Sequence, residues 1–199
     1  MIATAHKAPD FAAARRHMIE SQLRTSGIND SWVLDRMATV PREDFVPESA
    51  RAAAYVDRTV PLGGGVSLAA PLAYGQILTH ARPTASDRAL VIGPATGYLA
   101  ALLKPLVADL HEATPDALLA GEVDGTFDLV IVDGAIEQVP AELAAKLSPQ
   151  GRLVTGVVRK GVTRLELGRH SGDSVSLVSV PESQLPRIAA FDAPPSWTF

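Results

Sequence analysis

LVIGPATGYLAALL, Leu90 to Leu103, is the stretch whose reading decides the fold. Leu90, Val91 and Ile92 form a short, continuous apolar run. Gly93 and Gly97 bracket a tight turn, and Tyr98 to Leu103 reads as a helix rich in Ala and Leu. Apolar strand, Gly-punctuated turn and helix make the first unit of a nucleotide-binding α/β fold, in which the ligand sits over the turn. Glycine lets the backbone approach closely there, and a helix N-terminus offers free N–H groups. Two positions depart from the usual pattern. Pro94 has no N–H to offer, and Ala95 adds a methyl group where closeness matters. Alone, GPATG supports a structural turn and a working site equally.

Downstream, the clearest strand is FDLVIVD, Phe127 to Asp133, apolar and β-branched in its middle. Asp133-Gly134 falls where a ligand-facing turn lies in an open parallel sheet, although a carboxylate at a strand end also serves as a helix cap or a solvated loop residue. Leu106 to His111 reads as a second strand, Val139 to Leu147 as a helix opened by Pro140, and SPQG as a turn. Gly151 to Val158, Val162 to Arg169 and Ser174 to Val180 read as three strands with short turns, which makes that end antiparallel. The tail, AFDAPPSWTF, carries Trp197 and Phe199, whose rings are expected to pack on the body.

Upstream the pattern is mainly helical. Met1 to Asp10 is expected to be loose. Phe11 to Gly27 places Phe11, Ala14, Met18 and Leu23 near one face, with Gly27 as the stop. Asn29 or Asp30 caps a second helix, Ser31 to Thr39. VPREDFVP, Val40 to Pro47, is a connector whose prolines bracket Phe45, and Glu48 to Tyr55 reads as a short Ala-rich helix. Gly63, Gly64 and Gly65 then give a backbone able to bend tightly or to approach a ligand, with a surface loop as the plain alternative. Pro71 opens a further helix that Pro83 closes.

The 199 residues suffice for one substantial core, and 47% hydrophobic residues imply that it is packed. A net charge of −4 argues against a nucleic-acid or membrane-surface binder. The chain has no cysteine, which excludes disulfides, thiolate metal sites and a Cys nucleophile and fits a reducing compartment. No apolar run approaches the roughly 18 residues of a membrane span, and MIATAHKAPD lacks the apolar middle of a signal peptide. A cytoplasmic protein is expected. His6, His17, His80, His111 and His170 show no metal-ligand spacing, so no metal is expected.

Taken in order, the chain resembles the protein-L-isoaspartate O-methyltransferases, which repair damaged aspartyl residues with S-adenosylmethionine. Their front half carries a GI-x-D, V-L, M, V-P-R-E-x-F-V-P, A-Y-x-D and P-I-G-x-G pattern. It is matched here by Gly27-Ile28, Asp30, Val33-Leu34, Met37, Val40 to Pro47, Ala54-Tyr55, Asp57, Pro61, Gly63 and Gly65. FDLVIVDGAIEQVPAELAAKLSPQGRLV resembles the family's fourth strand, helix and fifth strand. The resemblance implies a Rossmann-like class I S-adenosylmethionine-dependent methyltransferase fold in a single domain. Residues 1–86 would be a helical N-terminal extension with the Gly-rich loop, and 87–199 the core. It implies S-adenosylmethionine as cofactor, held by Gly93, Ala95, Gly97, Asp133 and Gly134, with Glu112 or Asp109 as the ribose acid. It implies an isoaspartyl protein or peptide as substrate, met by the loop Gly63, Gly64 and Gly65. It says nothing of oligomeric state.

The departures fall at the chemistry. After Gly65 the family continues Q-T-I-S-Q-P, and this chain continues Val66 to Pro71. Ser67 keeps a hydroxyl where the family has Thr, and Ala69 stands where the family has its active-site Ser. The turn E-I-G-T-G-S-G-Y becomes VIGPATGY, with Val91 in place of the acid. Only fourteen residues, Ala113 to Thr126, separate Glu112 from Phe127, too few for a helix–strand–helix crossover, so the sheet is expected to lack one edge strand. Two functions are consistent with this pattern: a carboxyl methyltransferase with weak cofactor binding and slow transfer, or a non-catalytic homologue that keeps the fold as a binding or scaffolding module.

Overall fold

The computed structural model describes residues 10–94, 96–171 and 174–193. The expected loose start up to residue 9, Ala95, and the tail rings of Trp197 and Phe199 lie outside the described residues. In chain order the front holds α1 (Phe11–Met18), which continues as a π turn (Ile19–Leu23) and a 3-10 turn (Arg24–Ser26), and α2 (Ser31–Thr39). Two 3-10 turns, Arg42–Phe45 and Glu48–Ala53, precede a hairpin of β1 (Val60–Gly63) and β2 (Val66–Leu68), and then α3 (Pro71–Ala81). The core runs β3 (Arg88–Ile92), α4 (Tyr98–Leu103), β4 (Asp109–Ala113), α5 (Pro115–Leu119), β5 (Phe127–Ile136), α6 (Ala141–Ala144), β6 (Leu147–Arg159), β7 (Val162–Ser171) and β8 (Ser174–Glu182).

The helix ends follow local chemistry. The Asp10 carboxylate accepts from the Ala13 N–H at 2.9 Å and caps α1. Gly27, at φ 89°, ends the helical run. Asp30 stands at the N-cap of α2 without a side-chain bond. At α3, Pro71 takes the first position, and the Leu72 N–H donates to Asp57 at 3.2 Å.

The sheet has strand order β4-β3-β5-β6-β7-β8. The first four strands are parallel, and β7 and β8 are antiparallel to their neighbours. This is the Rossmann-like methyltransferase sheet expected from the sequence, short of one edge strand. Between β4 and β5 the chain forms only the five-residue α5, so β4 becomes the edge. Asp109, His111 and Glu112 put exposed charged and polar side chains on it, which discourages pairing with another chain.

Both faces of the sheet are covered, which is why β3 and β5 read as continuous apolar runs. Val91, Leu129, Ile131 and Val154 pack with the helical front, α3 and α4. Leu90, Ile92, Val130, Val132 and Leu153 point the other way, onto Leu118, Leu143 and Phe191.

Several boundaries differ from the sequence expectation. The triple-glycine stretch is a β-hairpin turn rather than a loop, so the front is not purely helical. The second strand starts at Asp109, because Lys104–Leu106 prolongs α4 as a 3-10 turn and β4 pairs in register with Arg88 to Ile92. The helix after Pro140 is only Ala141–Ala144. SPQG is a bulge inside β6, since Phe127 faces Leu147 while Leu129 faces Arg152.

Arg152 fastens α3 to the sheet. It donates to the Ala81 carbonyl at 2.6 Å, the Arg82 carbonyl at 2.9 Å and the Asp87 carboxylate at 2.6 Å. Burial lifts the Asp87 carboxyl, but the Arg152 guanidinium and the Thr84 N–H outweigh it and hold it below the usual value. Arg152→Ala is therefore expected to cost about 3 kcal/mol in chemical denaturation at neutral pH. A depressed carboxyl contributes stability above its unfolded pKa and loses it as pH falls, so the deficit should shrink near about pH 3. An equal deficit at both pH values would show that the ion pair is not what Arg152 supplies.

Candidate functional site

The site lies at the carboxyl ends of β3, β4 and β5, where an open α/β sheet leaves a crevice. Gly97, at φ 74°, turns the chain from β3 into α4. A cavity of about 90 Å³ sits over this turn, lined by Gly93, Thr96, Gly97, Glu112, Thr114 and Asp133 among others. Glu112, Ala113 and Thr114 also line an adjoining open groove of about 540 Å³, which reaches Ala117 and Val123. A second cavity, of about 230 Å³, lies under the hairpin and is lined by Ser67, Gly65, Pro94, Asp133 and the segment Pro186 to Ala189. Asp133 lines both the cavity over the turn and the cavity under the hairpin.

Asp133 is 6% exposed. Its Oδ2 accepts from the Thr96 hydroxyl at 3.2 Å and the Tyr74 hydroxyl at 3.4 Å. Burial pushes its carboxyl up to about 6, against the pull of those two hydroxyls and of Arg42, and with Glu112 adding a like charge. Gly93 makes this approach possible, because a Cβ there would lie 2.9 Å from the Asp133 Cβ.

Beneath the site is a fully buried arginine. Arg42 donates from Nε to the Ala54 carbonyl at 2.6 Å and from Nη2 to the Ala69 carbonyl. Its guanidinium lies 5.1 Å from the Tyr98 ring centroid and 5.5 Å from that of Tyr74. Nη1 and the Tyr98 hydroxyl have no hydrogen-bond partner among the described residues. Burial lowers the Arg42 pKa, opposed by the tyrosines and Asp133. Beside it, Glu43 accepts from Arg15 at 2.9 Å and from the Tyr55 hydroxyl. The VPRE and AY residues of the front half thus meet in one network.

The structure sorts the candidates. Gly93, Gly97, Glu112 and Asp133 converge on the cavity over the turn, and Ser67 and Gly65 on the cavity under the hairpin. Gly134 lines neither. A Cβ there would lie 2.6 Å from Ile188, so it is a packing glycine that admits the segment Pro186 to Ile188 beside Ala135. Gly63 and Gly64 shape the hairpin without lining either cavity. Ala69 is fully buried and meets Arg42 through its carbonyl. Asp109 starts β4, four residues before Ala113, lines neither cavity, and pairs with His111 and Arg88, which line the open groove. Ala95 is outside the described residues. The sequence reading missed Arg42, Tyr74, Thr96 and Tyr98. A lone cation within the Pro-bracketed VPREDFVP was the one available signal. Among the described residues, no three of His, Asp and Glu are grouped to hold a metal ion, and no helix is long and apolar enough to cross a membrane.

Residues 13–114 match the model of the family described as Protein-L-isoaspartate(D-aspartate) O-methyltransferase (PCMT). The chain is 34% identical to the protein-L-isoaspartate O-methyltransferase of Roseiflexus sp. (strain RS-1), over 83% of this chain and 87% of that one. It is also 34% identical to that of Methylorubrum extorquens (strain PA1), over 83% of each chain. A structure from Plasmodium falciparum assigned as the same enzyme, in complex with S-adenosyl-L-homocysteine, superposes with a TM-score of 0.70. It is 15% identical and covers 92% of this chain and 100% of that one. At that identity the likeness speaks for the fold.

Arg42→Met should destabilise the protein by about 3 kcal/mol, because the Ala54 and Ala69 carbonyls lose their buried donor. A change of under about 1 kcal/mol in chemical denaturation would show that the guanidinium is dispensable to the fold.

Proposed function

The chain belongs to the protein-L-isoaspartate O-methyltransferase family, and we propose that it transfers the methyl group of S-adenosylmethionine to the free carboxylate of an isoaspartyl residue in a damaged protein or peptide. One observation carries this reading: the cavity over the glycine turn and the cavity under the hairpin meet at a single side chain, Asp133.

The residues fit the cofactor. The backbone of Gly93 and Gly97 provides a bed without side chains, Glu112 stands at the end of β4 where ribose hydroxyls are received, and the groove past Thr114 extends the site far enough for a purine. S-adenosylmethionine supplies an activated methyl group on a cationic sulfur, and transfer to a carboxylate yields a thioether and an ester with no proton moved. The protein's part is therefore orientation and the exclusion of water. Ser67 offers its hydroxyl to the acceptor from the hairpin, and Pro186 to Ala189 wall the acceptor side. Residues 1–86 and 87–199 act as one unit, because Arg42 and Tyr74 of the front lie against Tyr98 and Asp133 of the core. We place the protein in the cytoplasm, in keeping with its cysteine-free chain.

The second reading, a non-catalytic binding module, draws on the cavity over the turn, whose 90 Å³ is small for a ligand of this size. Gly93→Val separates a cofactor site from a mere turn. Its affinity for S-adenosylhomocysteine by calorimetry should fall about tenfold or more, with an unchanged circular dichroism spectrum. Unaltered affinity would place the cofactor elsewhere.

Activity is read with a radiolabelled methyl-transfer assay on an isoaspartyl peptide and its aspartyl isomer. Slow turnover of the first and none of the second is expected. Ser67→Ala should lower kcat/KM about tenfold while leaving S-adenosylhomocysteine affinity intact. No turnover by the wild type, and none by the double variant Ala69→Ser with Ala95→Gly, would favour the binding module.

A further inference from the structure

We infer that Asp133 reads the charge on sulfur: its carboxylate favours the cationic donor S-adenosylmethionine over the neutral product S-adenosylhomocysteine, and so promotes product release after each transfer. This rests on the methyltransferase reading. The methyl group has to pass from the cavity over the turn to the cavity under the hairpin, and Asp133 is a wall of both. The sulfur that carries it must stand at that junction.

The surroundings leave Asp133 free for this task. Both neighbouring hydroxyls, Thr96 from the turn and Tyr74 from α3, bond the same oxygen, Oδ2. Oδ1 has no hydrogen-bond partner among the described residues. Of the charged groups around it, Arg42 attracts the carboxyl without bonding either of its oxygens, Arg187 is paired elsewhere, and Glu112 bears the same sign. Arg42, from the connector after α2, commits Nε and Nη2 to two carbonyls and stacks on the tyrosines. Arg187, from the segment that walls the acceptor cavity, pairs with Glu137 and Asp192 at 2.7 Å each. Glu112, at the end of β4, is itself a carboxylate. A cation arriving at the junction would meet the carboxyl at Oδ1, the oxygen that the two hydroxyls leave unbonded.

In the transfer, a bond forms between an acceptor oxygen and the methyl carbon as the carbon–sulfur bond breaks, and the electron pair of that bond stays on sulfur. No proton is released. Sulfur becomes neutral, and the attraction of Asp133 for it disappears in the same step. With burial holding the carboxyl near about 6, the preference has a pH dependence. It is present above that value, where Asp133 is ionised, and is lost below it, where the group is a neutral acid. An arriving cation favours ionisation, so donor binding near pH 6 releases a proton and product binding does not.

The test is calorimetry of S-adenosylmethionine and S-adenosylhomocysteine with the full chain and with Asp133→Asn, at about pH 5 and about pH 8, without acceptor. The wild type should prefer the donor about tenfold at the higher pH, with the ratio approaching unity at the lower. Asp133→Asn should give a ratio near unity at both. A purely structural role would move both affinities together and leave the ratio unchanged. Equal affinities in the wild type at both pH values, or the same ratio in the variant as in the wild type, would overturn the inference and leave the methyltransferase reading standing. Failure of the wild type to bind either compound would overturn both.

Discussion

A guanidinium buried without a carboxylate partner governs this structure. Taking Arg42 out of water is costly unless its N–H groups and charge are answered. The answers come from four places in the chain: the Ala54 carbonyl, the Ala69 carbonyl, the Tyr74 ring and the Tyr98 ring. Each fixes a different element against the others. Ala54 ends the second 3-10 turn, Ala69 links the hairpin to α3, Tyr74 belongs to α3, and Tyr98 opens α4 directly after Gly97. Arg42 thus ties the glycine turn to the helical front, and Arg36 of α2 adds a second tie by donating to the Ala101 and Leu102 carbonyls of α4. Through Tyr74, which lies against the guanidinium and bonds Asp133, the constraint reaches the site.

The same economy explains how the sheet tolerates the loss of an edge strand. The two apolar faces of β3, β5 and β6 are buried without any strand beyond β4. What the shortened connection changes is the ligand side. A short α5 leaves the far end of the cofactor crevice as an open groove rather than an enclosed slot. In the proposed binding mode the turn and Glu112 would carry a larger share of the contacts, with the purine end facing the open groove. The expectation of weak cofactor affinity rests on this shape, and the fold does not depend on the missing contacts.

The architecture was legible in the sequence because its signals are local. FDLVIVD and LVI are strands in any context that covers both faces, and the fourteen residues before Phe127 cannot hold a crossover with a strand. The front half was legible through motif order. Boundaries were less so where tertiary pairing overrides local preference. β4 slides to Asp109 to stay in register with β3, and the SPQG bulge exists because Gly151 lies against the Phe127 carbonyl. In the site, Gly93 and Gly97 came from the glycine turn, Asp133 from its place at a strand end, and Glu112, beside Asp109, from the family resemblance. Gly134 misled for a physical reason, since a glycine beside a site serves equally to admit a neighbouring segment, here Ile188. Arg42, Tyr74 and Thr96 were illegible because their roles arise from elements far apart in sequence, 32 residues between Arg42 and Tyr74 and 37 between Thr96 and Asp133.

The place of Ala69 shows why a lost hydroxyl need not end the chemistry. Carboxyl methylation requires no general base, since the acceptor is already an anion near neutral pH. Ala69 is fully buried against Arg42 and lines neither cavity, while Ser67 supplies the acceptor wall with a hydroxyl. The charge balance is the stricter demand. Reactants bring a cation and an anion into a poorly hydrated crevice, and products carry neither. Prolines and the Asp133 carboxyl line the junction, with Arg187 already paired to Glu137 and Asp192, which suits that change better than an unpaired fixed charge. Among the described residues that line both cavities, Asp133, its carboxyl pushed up to about 6 by burial, is the group whose charge can follow that of its ligand.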